Sequence, residues 1–383
     1  MIITECSTFR TTDVGKYAWG RLAHFQNIEA VTGQITDLHQ LPQQQRTNAR
    51  KQATQLRQCL MQAREYYDAA RSVSLATRPV LLYYAVMSLA LAEILMKQSA
   101  DSRLEKLREF HGCHGLQLSL ANAVAPTDSL DLAATALRAK PQTAPDGSPR
   151  GTFEVWRRSS RELPIVGRYS QTHEGNITTT SRVQALMAGS DVEPEAYPKS
   201  GLSLLDALLG LPQMVEILAA YGVRPKLVRA TCTALSGGDN REPSITIIVH
   251  PALPSTMNDF MELVSFAPRG LERVNVTEYP NGIMLQFPGS IDVPGKVPWG
   301  VCPDVNNTWF SARQESLNEF GLLYVALHIA GNFARYYPDK WLAHIEVSSP
   351  LALVIDRLTE VAFDRVPLLV AGELSRRCLV AEA

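Results

Sequence analysis

The sequence predicts an α+β protein in which N- and C-terminal helices form one helical body around a buried central helix. The first observation behind this class is an apolar run over residues 79–97, the longest in the 383-residue chain. The second is helical periodicity before that run and again near the C-terminus. The third is a middle segment of short β-branched and alternating stretches, which predicts mostly antiparallel strands.

Changes in composition divide the chain into three predicted regions. An N-terminal helical region covers residues 1–140, a mostly β region with inserted helices covers 141–303, and a C-terminal helical region covers 304–383. Passages rich in Pro and Gly at 140–151 and 288–303 mark the two boundaries. We expect the C-terminal region to pack on the N-terminal helices.

The apolar run at 79–97 is either a membrane span or a helix in the core of a soluble protein. A span needs about 20 apolar residues, and Glu93 would be costly in lipid. Pro79 suits a first helical position, and Glu93 and Lys97 have the favourable i,i+4 order. We therefore predict a buried helix.

The helices around this run are predicted from apolar spacing. Residues 46–71 repeat apolar side chains at helical intervals opposite Arg, Lys and Gln, as an amphipathic helix does. A charged helix starts at Asp101 and ends before Gly112, because two nearby glycines terminate helices efficiently. A further helix is predicted over 128–138.

The middle region is predicted to alternate strands with short helices. Residues 274–279 and 283–287 flank Pro280-Asn281-Gly282, the strongest hairpin signal in the chain. Other strands are predicted at 153–156, 163–166, 227–235 and 245–250. Helical pieces are predicted at 203–209, 212–221 and 255–266.

Two prolines and two caps organise the predicted C-terminal helices. A capping box at 316–319 precedes a helix that Pro338 ends. Ser348 or Ser349 caps the next helix. Pro367 then kinks or restarts the chain for a final helix, because proline lacks the N–H that a helix interior uses.

Composition predicts a cytoplasmic protein with reduced thiols. Lys and Arg number 37 against 38 Asp and Glu, so no global field attracts nucleic acid or anionic lipid. The first residues lack the apolar core of a signal peptide, and six widely spaced cysteines contain no C-x-x-C pair. We expect no membrane association, no DNA-specific partner and no cofactor, since nucleotide-loop, Rossmann, serine-hydrolase and zinc-protease motifs are missing.

Three N-terminal segments and two C-terminal ones carry a family resemblance. The N-terminal segments are QLRQCLMQAREYYDAA, RPVLLYYAVMSLALAEILM and HGCHGL, and the C-terminal ones are LLYVALHIAGNFARYYPDKW and residues 351–374. Together they resemble the YaaC-like proteins, which implies the helical architecture and leaves the activity open. The helical portion also bears a faint resemblance to HEPN-type domains, which implies a role in bacterial phage defence or stress.

The HEPN resemblance implies a catalytic pair, Arg108 and His114. HEPN ribonucleases carry an Arg followed four to six residues later by a His, and cleave RNA without a metal. Arg108 would hold the scissile phosphate, and His114 would act near the 2′-hydroxyl and the leaving oxygen. A metal cluster of His111, Cys113 and His114 is the alternative interpretation, but zinc sites need a second pair of ligands. We predict no metal.

A second candidate site lies on one face of the first C-terminal helix. His328, Asn332 and Arg335 recur at i, i+4 and i+7 in an otherwise apolar helix. Buried polar groups need partners, so these side chains either form a buried network, for instance with Glu93 or the tyrosines at 83–84, or line a pocket for an anion or nucleotide.

Three functions remain open on these residues. The leading hypothesis is a non-catalytic interaction or effector-scaffold protein with a protein partner or a homo-oligomeric assembly, in a bacterial defence or stress complex. The first alternative is a HEPN-like, metal-independent ribonuclease acting on RNA through Arg108 and His114. The second is a sensor of nucleotides or small anions with its pocket near Arg335.

Overall fold

The computed structural model describes 13 segments of the chain. They are residues 5–97, 103–121, 124–159, 167–173, 176–180, 197–224, 227–235, 244–249, 275–279, 282–288, 300–304, 307–311 and 317–381. The side chains of Arg108 and His111, and those of most residues in the strands between 167 and 311, lie outside the described set.

Five helices form the N-terminal part. They are α1 (Val14–Ala23), α2 (Ile28–Leu38), α3 (Arg46–Ser72), α4 (Arg78–Lys97) and α5 (Leu104–His111). The amphipathic helix predicted over 46–71 and the central helix predicted over 79–97 are both confirmed. The buried face of α3 packs along α4, because its apolar positions recur every three to four residues.

The three C-terminal helices are α10 (Glu319–Tyr336), α11 (Pro338–Glu346) and α12 (Pro350–Ser375). Asn318 caps α10 by accepting a hydrogen bond from the Gly321 amide at 3.0 Å, so the predicted capping box at 316–319 is wrong. Ser349 caps α12, as predicted. Of the two outcomes predicted at Pro367, a kink or a restart of the chain, the restart is wrong, since α12 continues through Pro367 with buried turns on both sides.

Helix α4 lies at the centre of the helical body. It is long and apolar enough by composition to cross a bilayer, yet 72% of its most apolar window is buried inside the protein. Helices α3, α10 and α12 and the shorter α7 (Thr152–Ser159) pack against it. The predicted class, α+β with the two ends of the chain meeting around a buried helix, is confirmed.

Polar contacts inside the helical body connect α3 and α4 to α12 and to α7. Lys97, at the end of α4, forms a buried ion pair with Glu373 of α12. The Tyr67 hydroxyl of α3 donates to the Phe363 carbonyl of α12. Glu93 is fully buried and accepts a hydrogen bond from the Trp156 indole at 2.7 Å.

Four shorter helices belong to the predicted β region or its border. They are α6 (Leu130–Ala136), α7, α8 (Leu204–Leu209) and α9 (Val215–Ala220). The strand predicted at 153–156 is wrong, because these residues form the start of α7. Phe153 and Trp156 are three residues apart and both buried, which places them on one helical face. The strand predicted at 163–166 and the helix predicted at 255–266 lie outside the described residues.

The strands form three sheets. Parallel strands β1 (Glu5–Phe9) and β13 (Arg377–Ala381) join the two ends of the chain. A small antiparallel sheet contains β2 (Leu116–Leu120), β3 (Leu137–Pro141) and β6 (Leu202–Ser203). The third sheet has eight strands, namely β4 (Gly167–His173), β5 (Asn176–Thr180), β7 (Leu227–Leu235), β8 (Ser244–Val249), β9 (Asn275–Tyr279), β10 (Gly282–Pro288), β11 (Gly300–Asp304) and β12 (Asn307–Ser311). Its strands pair in antiparallel fashion except for β4 and β7, which are parallel. The predicted β9–β10 hairpin is confirmed, with Tyr279 opposite Gly282.

Candidate functional site

The candidate site lies where α4, α10 and the loop after α5 meet. We call it the His114–Arg335 site. It contains one residue pair from α4, one residue from the loop and three residues from α10, namely Tyr83, Tyr84, His114, His328, Asn332 and Arg335.

A close approach of two helices positions the α10 side of the site. A Cβ atom added to Gly331 would lie 3.0 Å from the Pro79 carbonyl oxygen and 3.1 Å from the Tyr83 Cβ. A larger side chain at 331 would therefore push α10 away from α4. The glycine brings the polar face of α10 against the tyrosines of α4.

Two glycines position the loop that carries His114. Gly115 and Gly151 have φ values of +91° and +99°, and a Cβ on Gly151 would lie 2.3 Å from the Gly115 Cα. The Phe153 amide donates to the His114 carbonyl at 3.1 Å, and the Gly115 amide donates to Gln142 Oε1 at 2.9 Å. The backbone of the loop is thus held from both sides.

His114 contacts both tyrosines of α4. Its Nδ1 lies 2.8 Å from the Tyr83 hydroxyl, and its ring stacks on Tyr83 at a centroid distance of 5.8 Å. Partial burial, with a contribution from the nearby positive charge of Arg335, lowers the pKa of His114. Burial raises the pKa of the Tyr83 hydroxyl well above its usual value. At neutral pH both groups are therefore uncharged.

His328 forms the buried floor of the site. Its ring meets Tyr83 edge-on at 5.1 Å, and burial, reinforced by His114, lowers its pKa to about 3. Asn332 Nδ2 donates to the His328 carbonyl at 2.8 Å and lies 3.1 Å from His328 Nδ1. Because an amide nitrogen can only donate, His328 Nδ1 accepts, and the ring proton is on Nε2. That buried N–H has no hydrogen-bond partner in the part of the chain that the structure describes.

The rim of the site is exposed and carries one positive charge. The Arg335 guanidinium donates to the Tyr84 hydroxyl and lies 5.2 Å from the ring centroid of Tyr336. Tyr84 in turn stacks with Tyr66 of α3 at 5.4 Å. No carboxylate among the described side chains forms an ion pair with Arg335.

The structure brings together four of the six predicted site residues. His114, predicted as catalytic, lies beside His328, Asn332 and Arg335, which were predicted as a separate pocket or network. Glu93 is ten residues further along α4 than Tyr83, about 15 Å at the rise of a helix, and bonds to Trp156 in another part of the core.

The remaining predicted groups are only partly described. Arg108 belongs to α5, but its side chain lies outside the described set, so its pairing with His114 stays a prediction. The same holds for His111 in the alternative metal cluster. Among the side chains that are described, no group of three or more His, Cys, Asp and Glu is arranged to hold a metal ion.

Sequence reasoning missed two aromatic residues that contact the tyrosines of the site. Tyr324 is fully buried and contacts Tyr83 at 6.1 Å, and Tyr66 stacks on Tyr84. Tyr324 could have been found, since it precedes His328 by four residues and so shares its helical face. Tyr66 gave no such signal, because its contact depends on how α3 lies against α4.

The match with a known family falls on this part of the chain. Residues 25–117 match the family model described as YaaC-like Protein. Over these residues the chain is similar to the YaaC-like proteins, and we call them the YaaC-like region. The YaaC-like region extends from the turn before α2 into β2, so it contains Tyr83, Tyr84 and His114, whereas His328, Asn332 and Arg335 lie beyond it. No curated protein and no solved structure matches the chain.

Proposed function

We propose that the protein is a non-catalytic effector whose state is set by a small anion, a nucleotide or another phosphate-bearing molecule, bound at the His114–Arg335 site. The observation that carries this proposal is the exposed guanidinium of Arg335, without a carboxylate partner in the described chain, beside the stacked rings of Tyr84 and Tyr66.

The chemistry of the rim suits a nucleotide. A guanidinium offers several N–H donors in a planar fork that matches phosphate oxygens. The neighbouring tyrosine faces can stack on a base, an interaction worth about 1–3 kcal/mol per base. The neutral His114 adds a hydrogen-bonding group without a competing charge.

The position of the site suits a switch. Tyr84 and His114 come from the YaaC-like region, and Arg335 comes from α10 near the other end of the chain. A ligand that contacts both would favour the arrangement in which the two parts are packed together. We propose that this arrangement is recognised by a protein partner or a second copy of the chain, in a bacterial defence or stress complex.

A thermal-shift experiment tests the proposal. We expect ATP, ADP, AMP or inorganic phosphate to raise the melting temperature of the wild-type protein, because a ligand that binds only the folded state stabilises it. Arg335→Gln should reduce the shift. Arg57→Gln is the matched control, since Arg57 is an exposed cation on α3, about 13 Å along the helix axis from Tyr66. A flat response to all four compounds contradicts the proposal.

A ribonuclease remains the second candidate, favoured by the neutral, partly accessible imidazole of His114. A histidine in that state can accept a proton from a ribose hydroxyl. Transfer RNA is incubated with wild-type protein in EDTA, alongside Arg108→Gln and His114→Ala variants that retain the wild-type circular dichroism spectrum. If the wild-type protein cleaves the RNA and both variants do not, the ribonuclease hypothesis replaces the effector proposal. If the RNA stays intact at high protein concentration, the ribonuclease hypothesis is wrong.

A further inference from the structure

A polar groove lies next to the His114 loop. Its volume is about 340 Å³, within the range of small-molecule sites. It is lined by one loop residue, one residue of β2 and four residues on or beyond β3, namely Cys113, Gln117, Pro141, Gln142, Thr143 and Arg150. We call it the Arg150 groove.

The groove contains a positive charge without a counter-charge. Arg150 is half-buried, and its guanidinium forms no ion pair within the described segments. The two carboxylates nearest to it in sequence are both engaged elsewhere. Asp146 accepts from the Ser148 amide at 2.9 Å and from the Ser148 hydroxyl at 2.6 Å, and Glu154 forms ion pairs with Arg157 and Arg158. A guanidinium in such surroundings is available to an external anion.

The other lining groups are neutral hydrogen-bond donors and acceptors. Gln142 uses its amide oxygen to accept from the Gly115 amide, which leaves its NH₂ group for other acceptors. Gln117 and Thr143 are exposed and present an amide and a hydroxyl. One cation surrounded by neutral donors is an arrangement that binds phosphate or carboxylate oxygens.

We propose that the Arg150 groove is a second binding site, for the phosphate or carboxylate group of a small metabolite. Its walls are preorganised. The Gly115–Gly151 crossing and the hydrogen bond from the Arg150 amide to the Gln142 carbonyl, at 2.9 Å, fix the two sides relative to each other. A ligand therefore meets a site whose backbone is already ordered.

The groove and the His114–Arg335 site lie on two sides of the same short loop. Cys113 lines the groove, whereas the next residue, His114, bonds to Tyr83. The two sites use different arginines, so each proposal can fail without the other. A ligand in the groove would restrain the loop and with it the position of His114.

Alkylation of Cys113 reports on occupancy of the groove. The full-length native protein is treated with neutral iodoacetamide, and modification of the Cys113 peptide is followed by mass spectrometry. We expect pyrophosphate or citrate in the millimolar range to slow this modification, with sodium chloride at equal ionic strength as the blank. Protection by pyrophosphate alone assigns a phosphate ligand, and protection by citrate alone assigns a carboxylate.

Charge variants decide whether the protection comes from the groove. Arg150→Gln should raise the half-protecting concentration by about tenfold or more, the usual effect of losing a hydrogen bond to a charged group. Arg57→Gln should leave it unchanged. Equal protection of wild type and Arg150→Gln, or no protection by either anion, overturns the proposal.

A second variant tests the proposal even if Arg150→Gln does not fold. Gln117→Glu places a negative charge in the lining of the groove. Because Gln117 is exposed on its strand, we expect the fold to accept this change. We expect it to weaken protection as Arg150→Gln does, because like charges repel across a short distance. Unchanged protection in Gln117→Glu would also contradict an anion site.

Discussion

Three histidines are held neutral inside the helical body. Burial lowers the pKa of His328 to about 3, and it also lowers the pKa values of His114 and His344. His344 is fixed by the Ser349 hydroxyl, 2.7 Å from its Nδ1. Each ring gains a proton more readily in the unfolded chain, so lowering the pH decreases the free energy of unfolding.

The first prediction concerns acid stability. Below a pH of about 6.5 the unfolded chain binds more protons at these histidines than the folded one, so stability is complete above that value and falls as the pH drops towards 3. For His328 alone, lowering the pH from about 6.5 to about 5 should cost about 2 kcal/mol.

Urea unfolding at several pH values measures how the free energy of unfolding depends on pH. We expect His328→Asn to be less stable at neutral pH but to lose less stability on acidification than wild type. Exposed His24 provides the control, and His24→Asn should follow the wild-type curve. Parallel curves for wild type and His328→Asn would show that His328 does not titrate with unfolding.

At the scale of elements, single residues decide how helices and loops approach each other. Gly331 sets the distance between α10 and α4, and the Gly115–Gly151 crossing holds the His114 loop. The bidentate ion pair of Glu319 and Arg365 joins the start of α10 to α12, with N–O distances of 2.7 and 2.6 Å.

The loop crossing gives the second prediction. Gly151 and Gly147 both have positive φ, but a Cβ would lie 2.3 Å from backbone at Gly151 and meets nothing within 4 Å at Gly147. Gly147→Ala should cost about 1 kcal/mol, from backbone strain alone. Gly151→Ala should cost at least about 2 kcal/mol more, because the clash adds to the strain. Similar unfolding free energies for the two variants would mean that the crossing is looser than described.

The buried ion pair gives the third prediction. Arg365→Met leaves the Glu319 carboxylate buried, 2% exposed, with its hydrogen bond from Gln213, and should cost about 3–5 kcal/mol. Adding Glu319→Gln removes the stranded charge, so the double variant should recover part of that loss. A double variant less stable than either single one would contradict this account. Chemical denaturation of the wild type, the two single variants and the double variant measures the change in the free energy of unfolding for each variant.

At the scale of the whole molecule, both ends of the chain are needed to cover one helix. The C-terminal helices α10 and α12 pack on α4, and β13 pairs with β1. Most side chains of α4 are buried, and the stripe of Val80, Tyr84, Met87 and Leu91 is half-buried. A chain without α10–α12 would expose an apolar surface that soluble proteins rarely tolerate.

Truncation tests this dependence and forms the fourth prediction. Residues 1–316 alone should show no cooperative thermal transition and should bind a hydrophobic dye, as chains without fixed packing do. Residues 1–376, which lack only β13, should keep a cooperative transition at a lower temperature. A sharp transition for residues 1–316 would show that the N-terminal helices form a separate lobe.

Much of the helical body could be predicted because its signals are local. The spacing of Leu56, Leu60 and Ala63 predicts α3, and the Asn-Gly turn after Pro280 predicts the β9–β10 hairpin. The strand predicted at Phe153–Trp156 failed because four residues are too few to separate a period of 2 from one of 3.6. The restart of the chain predicted at Pro367 failed because packing on both sides overrode a local preference.

The sequence by itself determined that residues 79–97 form a helix and that this helix is buried, since an apolar run with a carboxylate has few other stable locations. Only the tertiary structure decided that His114 and Arg335, more than 200 residues apart, meet at the same two tyrosines. It also separated Glu93 from them. The physical reason is that periodicity identifies the face of a helix that is buried, whereas the partner of that face depends on how all the helices pack at once.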